Sequence, residues 1–412
     1  MGKDRGRVAS LGVPNPMKLQ QAMGSVELAA RAEVERGARR HELITRFIRL
    51  QVMGGTLSIV AALCAMIVAN GSWAPLYFRT LQATLGPLSV LGWINDVLMP
   101  GFFLILALRL KREWCVGQLS TPAERRFTIV AAFSGSAVPA AVLIYFAETG
   151  YHWLGLLIAS WAAGLAWALA VASLLDGKLL PQVRIALAMI VILGDFAAVA
   201  LSTLVAPSQL HAMPVIAVAG LLVVMLALAR KGVSHHWPYG LALLCVWPAA
   251  WSAGLPLPAI AVVAGLLVPV RPEFERLEYR VHKVVAIAVL PLFAFANLGL
   301  AFGGLVSSGL GTSLTVALVG AMFVGKPLGI VAGTRAAVAF GVVSLPPGLS
   351  WLQLCGIAAL CGIGGTSSLL LGLGMFVGSS LLVQLKLAVL LASLLSAVVG
   401  YALLRRTVFR RP

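Results

Sequence analysis

Two ionisable side chains stand in the middle of long apolar stretches. Asp195 lies between Ile185–Leu193 and Phe196–Leu204, and Lys326 lies within Ala321–Ile330. An ionisable group in the hydrocarbon of a membrane costs about 2.5–3.5 kcal/mol on insertion scales, so a functional role is the default interpretation. A carboxylate at that depth can hold either a proton or a cation, with the lysine as an adjustable partner charge. The alternative is a structural ion pair that allows both groups to be buried.

A glycine cluster predicts a broken helix in a later apolar run. Gly362, Gly364 and Gly365 fall within four positions and are followed by Thr366. Such a cluster disfavours a helix interior, and the backbone groups that a break frees are tolerated at membrane depth only where they are buried in protein or line a cavity. Gly164 is a weaker counterpart. A pair of breaks indicates an inverted-repeat transporter, although for Gly164 alone small-residue helix packing is favoured.

The composition excludes several protein classes. The chain has 412 residues, of which 60% are hydrophobic and 11% charged, whereas soluble globular chains are about 45–50% apolar and about 25% charged. These proportions indicate an integral membrane protein rather than a soluble enzyme or a disordered chain. The five cysteines are interpreted as small buried hydrophobic residues. Because no nucleophile–base arrangement or metal-ligand cluster stands out, the sequence predicts no enzyme, no cofactor and no structural metal.

Twelve apolar stretches predict an all-α polytopic membrane protein. A spanning helix needs roughly 20 apolar residues, and the runs are continuous instead of alternating as in a membrane β-barrel. The seventh and eighth are short. The predicted spans are Phe47–Asn70, Leu91–Leu108, Phe127–Phe146, Trp153–Leu175, Ile185–Leu204, Pro214–Ala229, Leu241–Ala253, Pro258–Val270, Val284–Phe302, Ser313–Val331, Leu352–Phe376 and Leu387–Leu404.

The basic residues predict the topology. Lys and Arg number 31 against 14 Asp and Glu, a formal charge of +17. They collect after the second, fourth, sixth and eighth spans and at the C-terminal end, whereas Arg79 and Lys386 are exceptions on the other side. The positive-inside rule then places both termini in the cytoplasm, with an even number of spans. This distribution favours membrane topology over nucleic-acid binding.

The sequence predicts three regions. Residues 1–45 form a basic cytoplasmic tail, residues 46–406 a transmembrane domain, and residues 407–412 a basic C-terminal tail. The first region lacks the apolar core of a signal peptide. A solvated, poorly ordered tail is the favoured interpretation, and a helix over Val26–Arg40 that lies on anionic lipid is the alternative.

Five sequence blocks carry a specific signature: Trp93–Asp96, Lys111–Glu113, Leu290–Asn297, Gly325–Ile330 and Leu360–Gly364. In their order and separation, from about Arg46 to Arg406, they resemble the NhaA-type bacterial Na+/H+ antiporters. The resemblance implies twelve helices in two inverted repeats, with two broken helices that cross at mid-membrane. It also implies exchange of sodium or lithium for protons across the bacterial inner membrane, for pH and sodium homeostasis, by a protein that is often a homodimer.

The family's ion-site residues carry over in part. The resemblance implies that Asp195 is the second of two adjacent aspartates that bind a proton or a transient Na+, and that Gly194 replaces the first. Lys326 matches the family's lysine. The Thr-Asp pair at the first helix break aligns with Ala163 and Gly164, so these side-chain oxygens are missing.

A second set of matching positions belongs to the family's cytoplasmic funnel and pH response. These positions are Asp96, Glu113, Glu278 and His282, while a family glutamate aligns with Arg109.

The missing oxygens leave the function open between three hypotheses. Sodium prefers several oxygen ligands, and an ionised Asp195 beside a charged Lys326 makes the empty site neutral. The first hypothesis is a sodium or lithium/proton antiporter that uses Asp195. The others are a diverged carrier for another ion or solute and a non-transporting membrane sensor or scaffold.

Overall fold

The computed structural model describes residues 16–117, 119–146, 152–175, 179–205, 211–233, 235–302, 313–376 and 381–409. The chain forms two compact units, Met1–Phe47 and Ile48–Pro412.

The described residues are mostly helical, which agrees with the predicted all-α fold class. The first nine helices in chain order are α1 (Pro16–Asn70), α2 (Ala74–Gln82), α3 (Val90–Gly92), α4 (Pro100–Val116), α5 (Pro122–Phe146), α6 (His152–Trp161), α7 (Leu165–Ser173), α8 (Pro181–Val205) and α9 (Ala212–Arg230).

The remaining helices complete the second unit. They are α10 (Trp237–Ser252), α11 (Leu257–Leu267), α12 (Pro272–Val284), α13 (Leu290–Leu298), α14 (Ser313–Val319), α15 (Lys326–Ala339), α16 (Trp351–Cys361), α17 (Gly365–Met375) and α18 (Leu382–Phe409). One antiparallel hairpin, β1 (Thr84–Leu85) with β2 (Leu88–Ser89), adds a small exception to the all-α prediction.

Within the described residues, nine helical segments are long and apolar enough to cross a membrane, and the bent pair α16–α17 makes a tenth. This confirms a polytopic helical membrane protein. The predicted seventh and eighth spans correspond to α10 and α11, which have 16 and 11 residues. At a rise of 1.5 Å per residue, α11 alone covers only about 16 Å of a core about 30 Å thick.

The first unit contains the start of α1. Pro16 opens this helix, a position where the missing N–H of proline costs nothing. The residues that follow are rich in Ala, Glu, Leu and Arg, which favour helix. The alternative interpretation, a helix over Val26–Arg40, is therefore present as part of a longer helix, and residues 1–15 of the predicted tail lie outside the described residues. Its contact with lipid stays a prediction.

Large apolar side chains cover much of the molecular surface, as lipid contact requires. Leu204 and Ile67 are 84% and 73% exposed, and patches of such side chains are rare on soluble monomers. Cys64, Cys115 and Cys245 are exposed as well. Their interpretation as buried hydrophobic residues is thus wrong, because an apolar sequence context does not decide whether a side chain faces the protein interior or the molecular surface.

In the part of the chain that the structure describes, three helical segments contain a π-helical turn, and each turn ends two residues before a proline. The turns are Trp93–Leu98, Val285–Val289 and Gly320–Gly325, and the prolines are Pro100, Pro291 and Pro327. Proline lacks an N–H and its ring clashes with the carbonyl four residues earlier. A widened turn relieves that clash. Lys326 directly follows the third turn.

Two interrupted helices cross in the interior, as the family resemblance implies. The first interruption, residues 162–164, separates α6 from α7, and the second, residues 362–364, separates α16 from α17 with a bend of 42°. The Gly164 N–H donates to the Ile363 carbonyl at 2.7 Å. A Cβ on Gly164 would lie 2.8 Å from the Gly365 Cα, so a side chain does not fit at this position. Gly164 therefore lies at a helix break and also allows the two interrupted helices to pack closely.

Candidate functional site

Asp195 lies at the crossing of the two interrupted helices. It belongs to α8 and has no solvent exposure. Its Oδ1 accepts a hydrogen bond from the Ala163 N–H at 2.8 Å, and its Oδ2 accepts one from the Ser367 hydroxyl at 3.1 Å. The carboxylate therefore contacts both breaks, one through a freed backbone amide and the other through a side chain.

Lys326 lies on the other side of the first break. Its side chain is buried, and its Nζ donates to the carbonyl oxygens of Ser160, Trp161 and Ala162 at 3.1, 2.6 and 2.9 Å. The last carbonyls of a helix have no intrahelical donor, and the helix dipole favours a cation beside them. The end of α6 thus provides a backbone site for the ammonium group.

Asp195 and Lys326 do not form the direct ion pair that the structural alternative requires. Among the described residues, the ion pairs within 4.0 Å involve other side chains. The interrupted backbone holds the two charges apart, because one amide N–H solvates the carboxylate while three carbonyl groups solvate the ammonium. The charges remain close enough to interact electrostatically.

Gly194 faces the same carbonyl group that binds Lys326. A Cβ at this position would lie 3.5 Å from the Trp161 oxygen, which is an ordinary contact distance. A side chain at residue 194 would therefore begin in contact with the carbonyl group that accepts a hydrogen bond from Lys326.

Hydroxyl groups line the second break. Ser368 donates to the Ala162 carbonyl at 2.9 Å, and Ser393 accepts from the Gly364 N–H at 3.0 Å. Thr366 and Ser396 are buried, and their hydroxyl oxygens have no hydrogen-bond partner among the described residues. Oxygen atoms are thus present near the crossing despite the missing Thr-Asp pair.

Glu113 and Glu278 belong to a separate charged cluster. Glu113 pairs with Arg109 one turn earlier on α4, and both side chains are buried. Arg112 pairs with Glu278 of α12 at 2.5 Å and also lies 3.3 Å from Glu275. The arginine at 109 therefore compensates a buried glutamate instead of repelling cations in isolation.

His282 and Asp96 differ in their relation to that cluster. His282 is buried on α12, with its Nε2 3.1 Å from the Gln51 amide nitrogen. Asp96 lies in the π-helical turn at the opposite end of the segment that carries Glu113, about 25 Å away by helical rise. Asp96 thus starts the span that Glu113 ends, and the assignment of these four residues to the funnel and pH response stays a prediction.

Comparison with known proteins identifies the family. The profile described as Na+/H+ antiporter 1 matches residues 45–404. The chain belongs to this Na+/H+ antiporter family. A relative named Na(+)/H(+) antiporter NhaA from Rhizorhabdus wittichii is 39% identical over 373 residues, which cover 89% of this chain and 98% of the relative.

Further antiporter relatives match over similar lengths. The protein of the same name from Brucella suis is 35% identical over 379 residues, 89% of this chain and 96% of its own length. The Tolumonas auensis protein is 33% identical over 378 residues, 88% of this chain and 95% of its own length. Family membership and the apolar helices together identify a multi-pass membrane protein.

Sequence inspection missed the groups that solvate the two deep charges. The carbonyls of Ser160–Ala162 and the N–H of Ala163 are backbone groups, so no residue type marks them. The glycine-rich break signals only that such groups exist. Ser367 directly follows Thr366 in the sequence. Because successive residues of a helix point in different directions around its axis, the sequence does not show which of the two hydroxyl groups faces Asp195.

Proposed function

We propose that this protein is a secondary active transporter that exchanges sodium or lithium for protons across the bacterial inner membrane, and that it serves pH and sodium homeostasis. Membership in the Na+/H+ antiporter family and the names of the relatives support this function. The observation that carries it is the fully buried carboxylate of Asp195 at the crossing of two interrupted helices.

In this proposal, Asp195 binds a proton and a cation alternately. A dehydrated alkali cation requires several oxygen ligands. The carboxylate can provide them together with the Ser367 hydroxyl, which already contacts it, and with water. Lys326 is the charge partner, and its positive charge keeps the empty, ionised site neutral. Because the empty site is neutral, it attracts a cation only weakly, and the bound cation can therefore be released again in each transport cycle.

The proposal also covers the orientation of the protein in the membrane, its contact with lipid, its cytoplasmic funnel and its oligomeric state. The positive-inside distribution supports cytoplasmic termini, and the exposed apolar faces support direct contact with membrane lipid. Glu113, Glu278 and His282 form a candidate cytoplasmic funnel at the inner end of the spans. The family resemblance supports a homodimer.

Cation-driven proton flux in liposomes tests this function. The purified protein is reconstituted with a pH-sensitive dye inside, and sodium, lithium or potassium is added outside between about pH 6 and pH 9. The wild type is expected to dissipate a pH gradient on addition of sodium or lithium. Asp195→Asn should abolish this response, whereas Glu124→Gln, the same chemical change at a partly exposed loop-side carboxylate, should retain it. A wild type that responds to no cation would refute the proposal.

A further inference from the structure

We propose that a groove between α7 and α18 binds one anionic phospholipid, with the headgroup at Arg405 and Arg406 and an acyl chain along the apolar part of the groove. The inference goes beyond the general lipid contact of the proposed function, because it names one site and one class of lipid. It rests on the membrane location of the protein and is independent of sodium transport.

The groove is open to the molecular surface and has a volume of about 590 Å³. Val171 and Leu174 lie on one wall, and Val398 and Ala402 of α18 lie on the other. Leu174 and Val398 are 64% and 61% exposed, so the described part of the chain leaves both walls partly uncovered. The groove therefore has space and apolar surface for a ligand that is elongated and apolar over most of its length.

The chemistry of the groove changes along α18. Val398 and Ala402 form its apolar part, Tyr401 adds one hydroxyl group, and Arg405 and Arg406 lie at its end. The helix rises about 12 Å from Val398 to Arg406. An acyl chain beside the apolar residues would thus lead directly to a headgroup beside two guanidinium groups. Arginine suits a phosphate headgroup because its planar N–H donors match two phosphate oxygens.

The basic end of the groove lies where two apolar spans end. The span that contains α18 runs from Leu382 to Val408, so Arg405 and Arg406 belong to its last turn, and both are exposed. The other span, Trp153–Ser173, ends just before Leu174. Ends of spans lie at the membrane surface, where basic side chains reach the headgroups. The positive-inside rule assigns this surface to the cytoplasmic leaflet, whose lipids carry negative charge.

Charge complementarity favours an anionic phospholipid over other occupants. Among the described residues that line the groove, none is acidic, and Asp176 and Lys178, which follow α7 in the sequence, have opposite charges. A zwitterionic lipid would bring its own cationic group to the two arginines. A second copy of the chain in a two-fold contact would present the same patch, so like charges would meet.

A lipid in this groove would connect the two interrupted helices from outside. α7 begins directly after the first interruption. On α18, the Ser393 hydroxyl accepts a hydrogen bond from the Gly364 N–H of the second interruption at 3.0 Å. Because the lipid would contact α7 and α18 together, its binding should oppose their separation and raise the melting temperature of the protein.

Native mass spectrometry of the detergent-solubilised protein tests the binding. Phosphatidylglycerol is titrated, and phosphatidylcholine with the same acyl chains is the comparison. The wild type is expected to bind one phosphatidylglycerol about 20-fold more tightly than phosphatidylcholine, since each of two basic residues near an anionic headgroup changes the affinity about fivefold. Phosphatidylglycerol should also raise the melting temperature more than phosphatidylcholine does. Excess glycerol phosphate, a headgroup without acyl chains, should not displace the lipid.

Two variants remove different parts of the site. Arg405→Gln combined with Arg406→Gln removes the charge and should lower the affinity for phosphatidylglycerol to that for phosphatidylcholine. Ala402→Trp fills the apolar part of the groove and should weaken the binding of both lipids while the arginines remain.

Each variant has a matched control. Arg280→Gln combined with Lys283→Gln removes two exposed cations of α12, and Leu394→Trp adds the same ring to α18 at a side chain that is 64% exposed and does not line the groove. Both controls should bind phosphatidylglycerol as the wild type does.

The outcomes separate this inference from its alternatives and from the proposed function. Equal affinity of the wild type for the two lipids, or unchanged phosphatidylglycerol binding in both groove variants, overturns it. Displacement by glycerol phosphate would indicate a site for soluble anions, and loss of a dimer mass in Ala402→Trp would assign the groove to a second copy; either result also overturns it. If one variant does not fold, the wild-type comparison and the other variant decide. No readout involves sodium or protons, so failure here leaves the proposed antiport intact.

Discussion

At the scale of single residues, Asp195 is held by neutral donors only. The Ala163 N–H and the Ser367 hydroxyl stabilise its ionised form without a fixed counter-charge within hydrogen-bond distance. A carboxylate in such an environment can release its proton to water as a cation binds and take a proton up again when the cation leaves, whereas a bidentate arginine would hold it permanently ionised.

Removal of the Ser367 hydroxyl tests this environment. Ser367→Ala should raise the sodium concentration for half-maximal flux by about 2–10-fold, the equivalent of one hydrogen bond of about 0.5–1.5 kcal/mol. Ser202→Ala is the matched control on α8, because the Ser202 hydroxyl donates only to the Val199 carbonyl of its own helix. Dye-monitored flux at several sodium concentrations measures both variants. Equal effects of the two substitutions would contradict a role for Ser367 at the ion.

The two deep charges could be identified from the sequence, whereas their partners could not. Asp195 and Lys326 are identifiable because a charge inside an apolar run has few alternative explanations. The direct ion pair was a reasonable structural alternative, but it ignores the backbone groups that a helix break frees. The structure shows that these groups, at Ser160–Ala162 and Ala163, solvate both charges separately.

At the scale of elements, prolines account for the position of the π-helical turns. Pro100, Pro291 and Pro327 each follow such a turn by two residues. Pro139 and Pro248 lie inside helices without one, so proline alone is not sufficient. The sequence could predict where a helix is strained, but tertiary packing decides whether the strain is relieved by a wider turn.

The crossing of the interrupted helices depends on glycines at the contact point. Gly365 has a left-handed φ of 51°, which costs an L-residue about 1–2 kcal/mol, and its Cβ would lie 2.9 Å from the Gly164 Cα. The cluster at residues 362–365 predicted the second break correctly. For Gly164, the residue type alone favoured packing, and only the structure shows that break and packing coincide.

Gly365→Ala should therefore separate the two breaks. We expect a lower melting temperature of the detergent-solubilised protein and a loss of most sodium-coupled flux. Gly374→Ala is the control on the same helix, α17, because its Cβ would meet nothing within 4 Å. Thermal unfolding followed by fluorescence measures the stability of both variants. A Gly365→Ala protein with the stability and activity of the control would contradict the importance of this crossing.

Hydropathy predicts most of the membrane-spanning helices but not the lengths of all of them. Most predicted spans overlap with the observed helices, since a long apolar run has few alternatives in a membrane. The short helices α10 and α11 and the start of α1 at Pro16 were less predictable. Their lengths depend on neighbouring helices and on helix propensity outside the apolar runs.

At the scale of the whole molecule, the charges separate along the spans. Asp195 and Lys326 lie in the interior, and the cluster of Arg109, Arg112 and Glu113 lies where α4 ends. The positive-inside rule predicts that this end of α4 faces the cytoplasm.

The exposed thiol of Cys115 can test this orientation. It lies near the end of α4 and is exposed. In a variant that retains only Cys115, a membrane-impermeant maleimide should label inside-out vesicles and leave right-side-out vesicles unlabelled. A variant that retains only Cys64, which is exposed within the first span, should remain unlabelled in both because its thiol faces lipid. Labelling of Cys115 in right-side-out vesicles would place the protein in the opposite orientation.

The central claim is that sodium and protons compete for the carboxylate of Asp195, and proton release on sodium binding tests it most directly. Sodium chloride is added to the detergent-solubilised protein in weak buffer, with choline chloride as the salt control, and the released protons are titrated. We expect about one proton per chain from the wild type, since one carboxyl group exchanges one proton. Asp195→Asn should release none. Equal release from the wild type and Asp195→Asn would contradict the account.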